Sequence, residues 1–106
     1  MVKEIGPREL HQRLASGEMP LVLDVREPAE IRLAPFAGAL EIPLGELQQR
    51  IAELDPSEEI VVLCHHGIRS ARVASYLADQ GFARVVNLAG GIDAWSVLVD
   101  PSVPRY

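Results

Sequence analysis

A single cysteine, Cys64, opens the run Cys64-His65-His66-Gly67-Ile68-Arg69-Ser70, and its neighbours decide what its sulfur can do. With no second thiol in the chain, Cys64 forms no internal disulfide and has no resolving partner of its own. A lone cysteine is most often a small buried hydrophobe. Here, however, an apolar run ends at Leu63 and a helical pattern starts near Arg69, so the intervening residues form a strand-to-helix loop. Such a loop can turn backbone N–H groups inward as an anion-binding nest above a helix N-terminus. Gly67 relaxes the φ restriction that this curl imposes. A thiol held there has its anionic form favoured by the N–H donors and by the helix dipole. His65, His66, Arg69 and Arg72 are expected to add positive potential, so the segment has the make-up of a nucleophilic cysteine site.

The elements that must hold this loop can be read from hydrophobic pattern. Residues 2–5 suit a short edge strand, and Gly6-Pro7 opens an amphipathic helix that stops near Gly17. Residues 21–25 form a β-rich run ending in Asp24-Val25-Arg26-Glu27; residues 28–33 form a helical turn, and 39–42 a short strand. Leu44, Leu47, Ile51 and Leu54 recur at spacings of three and four, which predicts a helix over 44–54. Residues 60–63 are apolar throughout, as a parallel strand buried on both faces requires. A helix over 69–80 closed by Gly81, a strand over 85–88 and a helix over 91–99 complete the pattern before a Pro-bearing tail. Strands alternating with helices on short connections define an α/β fold, with a mostly parallel sheet of about five strands and helices on both faces. Cys64 then lies at the carboxyl end of a central strand, where open α/β sheets bind ligands.

Bulk properties bound the function. A chain of 106 residues suits one domain, spanning 1–106. Its formal charge of −5 argues against nucleic acid as a partner. No run is long and apolar enough to span a membrane, and residues 1–20 lack the apolar stretch of a signal peptide, so a cytoplasmic location is expected. Three consecutive loop residues, Cys64, His65 and His66, do not readily converge on one tetrahedral ion, so no metal is expected.

At this point a family resemblance is plain. Cys64-His65-His66-Gly67-Ile68-Arg69-Ser70 resembles the rhodanese active-site loop, Cys-x-x-Gly-x-Arg-Ser. Leu23-Asp24-Val25-Arg26-Glu27 is similar to the family's Asp-Val-Arg-Glu strand end, and Gly38-Ala39 with Ile42-Pro43 to its Gly-Ala-x-x-Ile-Pro segment. Gly90-Gly91-Ile92-Asp93-Ala94-Trp95 matches its Gly-Gly-x-x-x-Trp element. The four elements stand in the family's order and cover nearly the whole chain. The C-terminal run 90–106 further resembles rhodanese domains fused to adenylating enzymes of molybdopterin synthesis. One stretch departs: Ala34-Pro35-Phe36-Ala37 stands where many members have Gly-His-Ile-Pro, so the family's histidine has no counterpart.

The resemblance implies a single-domain sulfurtransferase that needs no cofactor. Cys64 is its catalytic residue, taking a sulfane sulfur from a donor such as thiosulfate as a persulfide. The sulfur then passes to a thiophilic acceptor such as cyanide or a thiol; a sulfur-carrier protein and a cysteine desulfurase are compatible partners. The active-site loop is His65, His66, Gly67, Ile68, Arg69 and Ser70. His65 and His66 are either donor contacts or solvated loop residues. Arg69 is expected to brace the loop against Asp24 or Glu27 rather than to touch the donor, since those charges come from a neighbouring strand end. Trp95 is expected in the core. Two alternatives come from other classes: a non-catalytic binding module, and a cysteine phosphatase or arsenate reductase. Those enzymes resemble one another in a His-Cys-x-x-x-x-x-Arg loop, whereas Leu63 precedes Cys64 here and only four residues separate it from Arg69.

Overall fold

The computed structural model describes residues 2–106. Its centre is β4 (Ile60–Leu63), in which no residue exposes any surface. β-Branched and Leu side chains fit a pleat covered on both sides, and each such side chain contributes about 1.5–3 kcal/mol on full burial. β4 pairs in parallel with β2 (Leu21–Asp24) on one side and β5 (Val85–Leu88) on the other. β1 (Lys3–Ile5) flanks β5 and β3 (Leu40–Glu41) flanks β2, giving the order β1-β5-β4-β2-β3 with every pairing parallel.

Side chains alternate along β4 and split the core in two. Ile60, Val62 and then Cys64 face a cluster with Leu47 and Leu54, and with Val73, Ala74 and Leu77 of α4 (Ile68–Asp79). Val61 and Leu63 face Leu10 of α1 (Pro7–Ala15), and Ile92 and Trp95 of α5 (Gly91–Leu98). The period of two therefore aims the Cys64 sulfur toward the face that carries α4. α2 (Pro28–Leu33) follows β2 directly, with Pro28 at its first turn.

The helix expected over 44–54 is a different object. It is a 3₁₀ turn at Leu44–Glu46, a single α-turn α3 (Leu47–Arg50) and a second 3₁₀ turn at Ile51–Glu53. In a 3₁₀ turn residues three apart eclipse. The intervals Leu44 to Leu47 and Ile51 to Leu54 are the two 3₁₀ turns, and the interval of four between Leu47 and Ile51 is the α-turn. Among the described residues no helix is long and apolar enough to cross a membrane.

Candidate active site

The sulfur of Cys64 is almost wholly enclosed, with 1% of the residue exposed. Three donors converge on it: the Gly67 N–H at 3.2 Å, the Ser70 N–H at 3.3 Å and the Ser70 hydroxyl at 3.2 Å. The two amides lie at the start of α4, so the positive end of the helix dipole adds to them. Burial pushes the thiol up, but the Ser70 hydroxyl and the N–H groups of Ser70, Gly67 and His66 together pull it below its ordinary value. The arrangement stabilises an anion on sulfur, as a nucleophilic thiolate requires.

Two glycines make the loop possible. Gly67 precedes α4 at φ +94°, and a Cβ on it would sit 3.1 Å from the Gly90 nitrogen and 3.4 Å from the Leu88 oxygen. Gly91, at φ +61°, is tighter: a Cβ there would lie 2.5 Å from the carbonyl oxygens of both Cys64 and His65. That close approach lets the first amides of α5 take those carbonyls, with the Ile92 N–H at 2.8 Å from Cys64 O and the Asp93 N–H at 3.1 Å from His65 O. With its carbonyls engaged by α5, the loop turns its amides toward the sulfur.

The other loop residues fall into place around this nest. His66 and Ile68 are exposed, the latter 68% so. His65 stacks on the ring of Tyr106, with centroids 3.8 Å apart and planes 9° from parallel. Burial, then the neighbouring His66, holds the His65 imidazole below its ordinary value. Ser70 is buried and its hydroxyl also contacts Oδ1 of Asn87, in β5. Asn87 donates through Nδ2 to the Gly67 carbonyl at 3.1 Å and to Oε2 of Glu4 at 3.0 Å.

Arg69 braces against a carboxylate, but neither Asp24 nor Glu27 is its partner. Its guanidinium makes a two-point fork with Glu30 of α2, both N···O distances being 2.7 Å. Asp24 is taken by Arg26, whose Nε and Nη2 donate at 3.0 and 2.7 Å in a fully enclosed pair. Glu27 caps α2, and its own N–H donates to Oε2 of Glu30 at 3.0 Å. Glu30 also accepts from the Tyr106 hydroxyl at 3.0 Å. The Arg69 fork, offset in part by burial, holds its carboxyl down at about 2. Trp95 lies in the core as expected, 7% exposed, against Phe36 at 4.9 Å between centroids.

Glu30, Asn87, Gly91 and Tyr106 are the contacts for which the residue pattern assigned no role. Asn87 carried the clearest signal, as a polar residue inside the apolar run of β5. Glu30 stands three residues after the cap of α2, the spacing of a capping box, which turns its carboxylate back toward the strand ends.

Comparison with known proteins gives this geometry a family. The family model described as a rhodanese-like domain matches residues 6–98, and the chain belongs to that family. A sulfurtransferase of Allochromatium vinosum is 42% identical over 96 residues, covering 91% of this chain and 90% of its own length. The probable adenylyltransferase/sulfurtransferase MoeZ of Mycobacterium tuberculosis is 35% identical over 96% of this chain, which spans only 26% of that protein. The crystal structure of a rhodanese-like domain protein from Staphylococcus aureus superposes with a TM-score of 0.86 at 28% identity, covering 99% of each chain.

Proposed function

We propose that this protein is a sulfurtransferase that carries a sulfane sulfur as a persulfide on Cys64, with the whole chain acting as one catalytic domain. The observation that carries the reading is the convergence of three donors on an enclosed sulfur. The Cys64 thiolate attacks the outer sulfur of a donor such as thiosulfate; a new S–S bond forms at Cys64, the donor's S–S bond breaks, and sulfite leaves with the electron pair. The loop amides stabilise the anionic sulfur as an oxyanion hole would. Cyanide, or a thiol of a small molecule or of a partner protein, then attacks the outer sulfur; its new bond to that sulfur forms as the S–S bond to Cys64 breaks, and the electron pair of that bond returns to Cys64 as thiolate. One cysteine is enough, because the acceptor resolves the intermediate. Cytosol, where thiols stay reduced, is the compartment this chemistry suits.

Intact-protein mass spectrometry after incubation with thiosulfate tests the reading. The protein should gain one sulfur atom, lose it on addition of cyanide with release of thiocyanate, and gain none as Cys64→Ser. A protein that binds no sulfur from thiosulfate or from a cysteine-desulfurase persulfide belongs instead to the class of binding modules. One that turns over aryl phosphates faster than it forms thiocyanate would be a phosphatase.

A further inference from the structure

Ser70 has a single hydroxyl proton and stands between two acceptors. On one side is the Cys64 sulfur at 3.2 Å; on the other, in closer contact, is Oδ1 of Asn87. A hydroxyl donates to one acceptor at a time. The orientation of the Asn87 amide is fixed by its other partners: Nδ2 meets the Gly67 carbonyl and the Glu4 carboxylate, which only accept, so Oδ1 must be the atom that faces Ser70. Asn87 is 1% exposed and Ser70 fully buried, so neither side exchanges its partner for solvent.

The competition has a different winner in each state of the sulfur. A neutral sulfur is a weak acceptor, and the amide oxygen holds the proton. A negative sulfur makes a charge-assisted bond, roughly twice as strong as a neutral one, and draws the proton over. We propose that Asn87 is a positioning residue that parks the Ser70 proton while the inner sulfur is neutral and yields it to Cys64 as negative charge arrives there. The inference rests on the reading of Cys64 as the sulfur carrier, because the inner sulfur then alternates between the two states in each turnover. In the persulfide the charge lies on the outer sulfur and the Ser70 proton points to Asn87. As the acceptor removes the outer sulfur, Cys64 departs as thiolate and the proton swings to it, strengthening a contact where charge is developing. No bond to hydrogen breaks; the hydroxyl rotates.

Thiolate absorbance titration of Cys64 in four proteins tests this: wild type, Asn87→Ala, Ser70→Ala and the double variant. Ionisation of the wild-type thiol sacrifices the Ser70–Asn87 bond. Asn87→Ala therefore lowers the Cys64 midpoint by about half a unit, roughly a threefold rise in the thiolate-to-thiol ratio. Ser70→Ala raises it. In the Ser70→Ala background, Asn87→Ala shifts nothing, because Asn87 acts only through the hydroxyl. An equal shift in both backgrounds would show that Asn87 acts through the Gly67 carbonyl and the loop, and would overturn the proposal, as would a rise or no change in the single variant. Should Asn87→Ala not fold, Asn87→Asp keeps the acceptor and adds charge. It should raise the midpoint more with Ser70 present than without it, and equal rises overturn the proposal. The titration uses no sulfur donor, so the two readings fail separately. Coupling in a protein that takes up no sulfur sinks the sulfur-carrier reading, and absence of coupling in one that does sinks the role of Asn87.

Discussion

Arg26 and Arg69 are both linked to the hydroxyl of Tyr106, Arg26 directly at 3.2 Å and Arg69 through Glu30, which pairs with Arg69 and accepts from the hydroxyl. The two ion pairs otherwise differ. Arg26 is wholly enclosed and finds its carboxylate two residues back, where Asp24 also accepts the Arg26 N–H at 3.1 Å. That pair closes as soon as the chain turns at the end of β2, and its energetics are dominated by the desolvation of two charges. Arg69 keeps a third of its side chain exposed and reaches a carboxylate on another helix. Its pair ties α2 to the first turn of α4, the turn whose amides face the Cys64 sulfur. One arginine anchors the fold; the other sets the rim of the site.

Breaking the enclosed pair should have the largest effect. Arg26→Ala leaves Asp24 as an uncompensated buried charge, and urea denaturation should show a loss of about 3–5 kcal/mol. Replacing both partners with apolar residues should recover most of it. A single variant as stable as wild type would erase the contrast between the two pairs.

Arg69→Ala should separate stability from activity. A partly exposed pair contributes little, so the stability loss should be about 1 kcal/mol or less. Sulfur uptake should fall much further, because the nest loses its tie to α2. Arg69→Lys should recover little activity, since an ammonium cannot reproduce the two-point fork. A raised KM for thiosulfate with an unchanged melting temperature would instead make Arg69 a donor contact. The same pair predicts a pH signature. The Glu30 carboxyl is held at about 2 in the folded protein, below its ordinary value. A depressed carboxyl adds stability that is complete above the unfolded value, roughly pH 4.3, and fades as pH falls through the folded one. The stability gap between wild type and Arg69→Ala should therefore be constant at neutral pH and close between about pH 4.3 and 2.

Tyr106→Phe should have the smallest effect. It keeps the ring that stacks on His65 and removes only the hydroxyl between the two pairs. Denaturation should show a loss of about 0.5 kcal/mol, because the two hydrogen bonds of the hydroxyl go while Arg26 and Glu30 both keep their ion-pair bonds. A loss larger than that of Arg69→Ala would mean that the tyrosine, not the arginine, holds the rim.

What could be read from residues alone follows the distinction between the two pairs. β4 is legible to the residue because a buried parallel strand writes a continuous apolar run, and Cys64 is placed by the end of that run. The loop motif is local too, and Gly67 marks its own left-handed backbone. Arg69 was harder. Its length and fork announce a carboxylate partner, but which one depends on how α2 is rotated over the sheet, and that is not local. Asp24 looked available only because the claim of Arg26 upon it, two residues away, is a matter of side-chain direction rather than spacing. The tail is the same case. Nothing in Asp100–Tyr106 says that Tyr106 turns back onto His65, or that Ser96 holds the Val103 carbonyl at 2.6 Å.

The contact between Gly91 and the loop bears on the order in which the molecule assembles. The carbonyls of Cys64 and His65 are engaged by amides of α5, a helix near the far end of the chain. The loop can be closed only after that distant segment has docked and the entropy of bringing it back has been overcome. Strands β2 and β4 place the cysteine at a strand end, but the carbonyls of its loop find their partners only when α5 is in place. If Cys64 carries sulfur, as proposed, the contacts that hold its loop are thus complete only in the finished molecule.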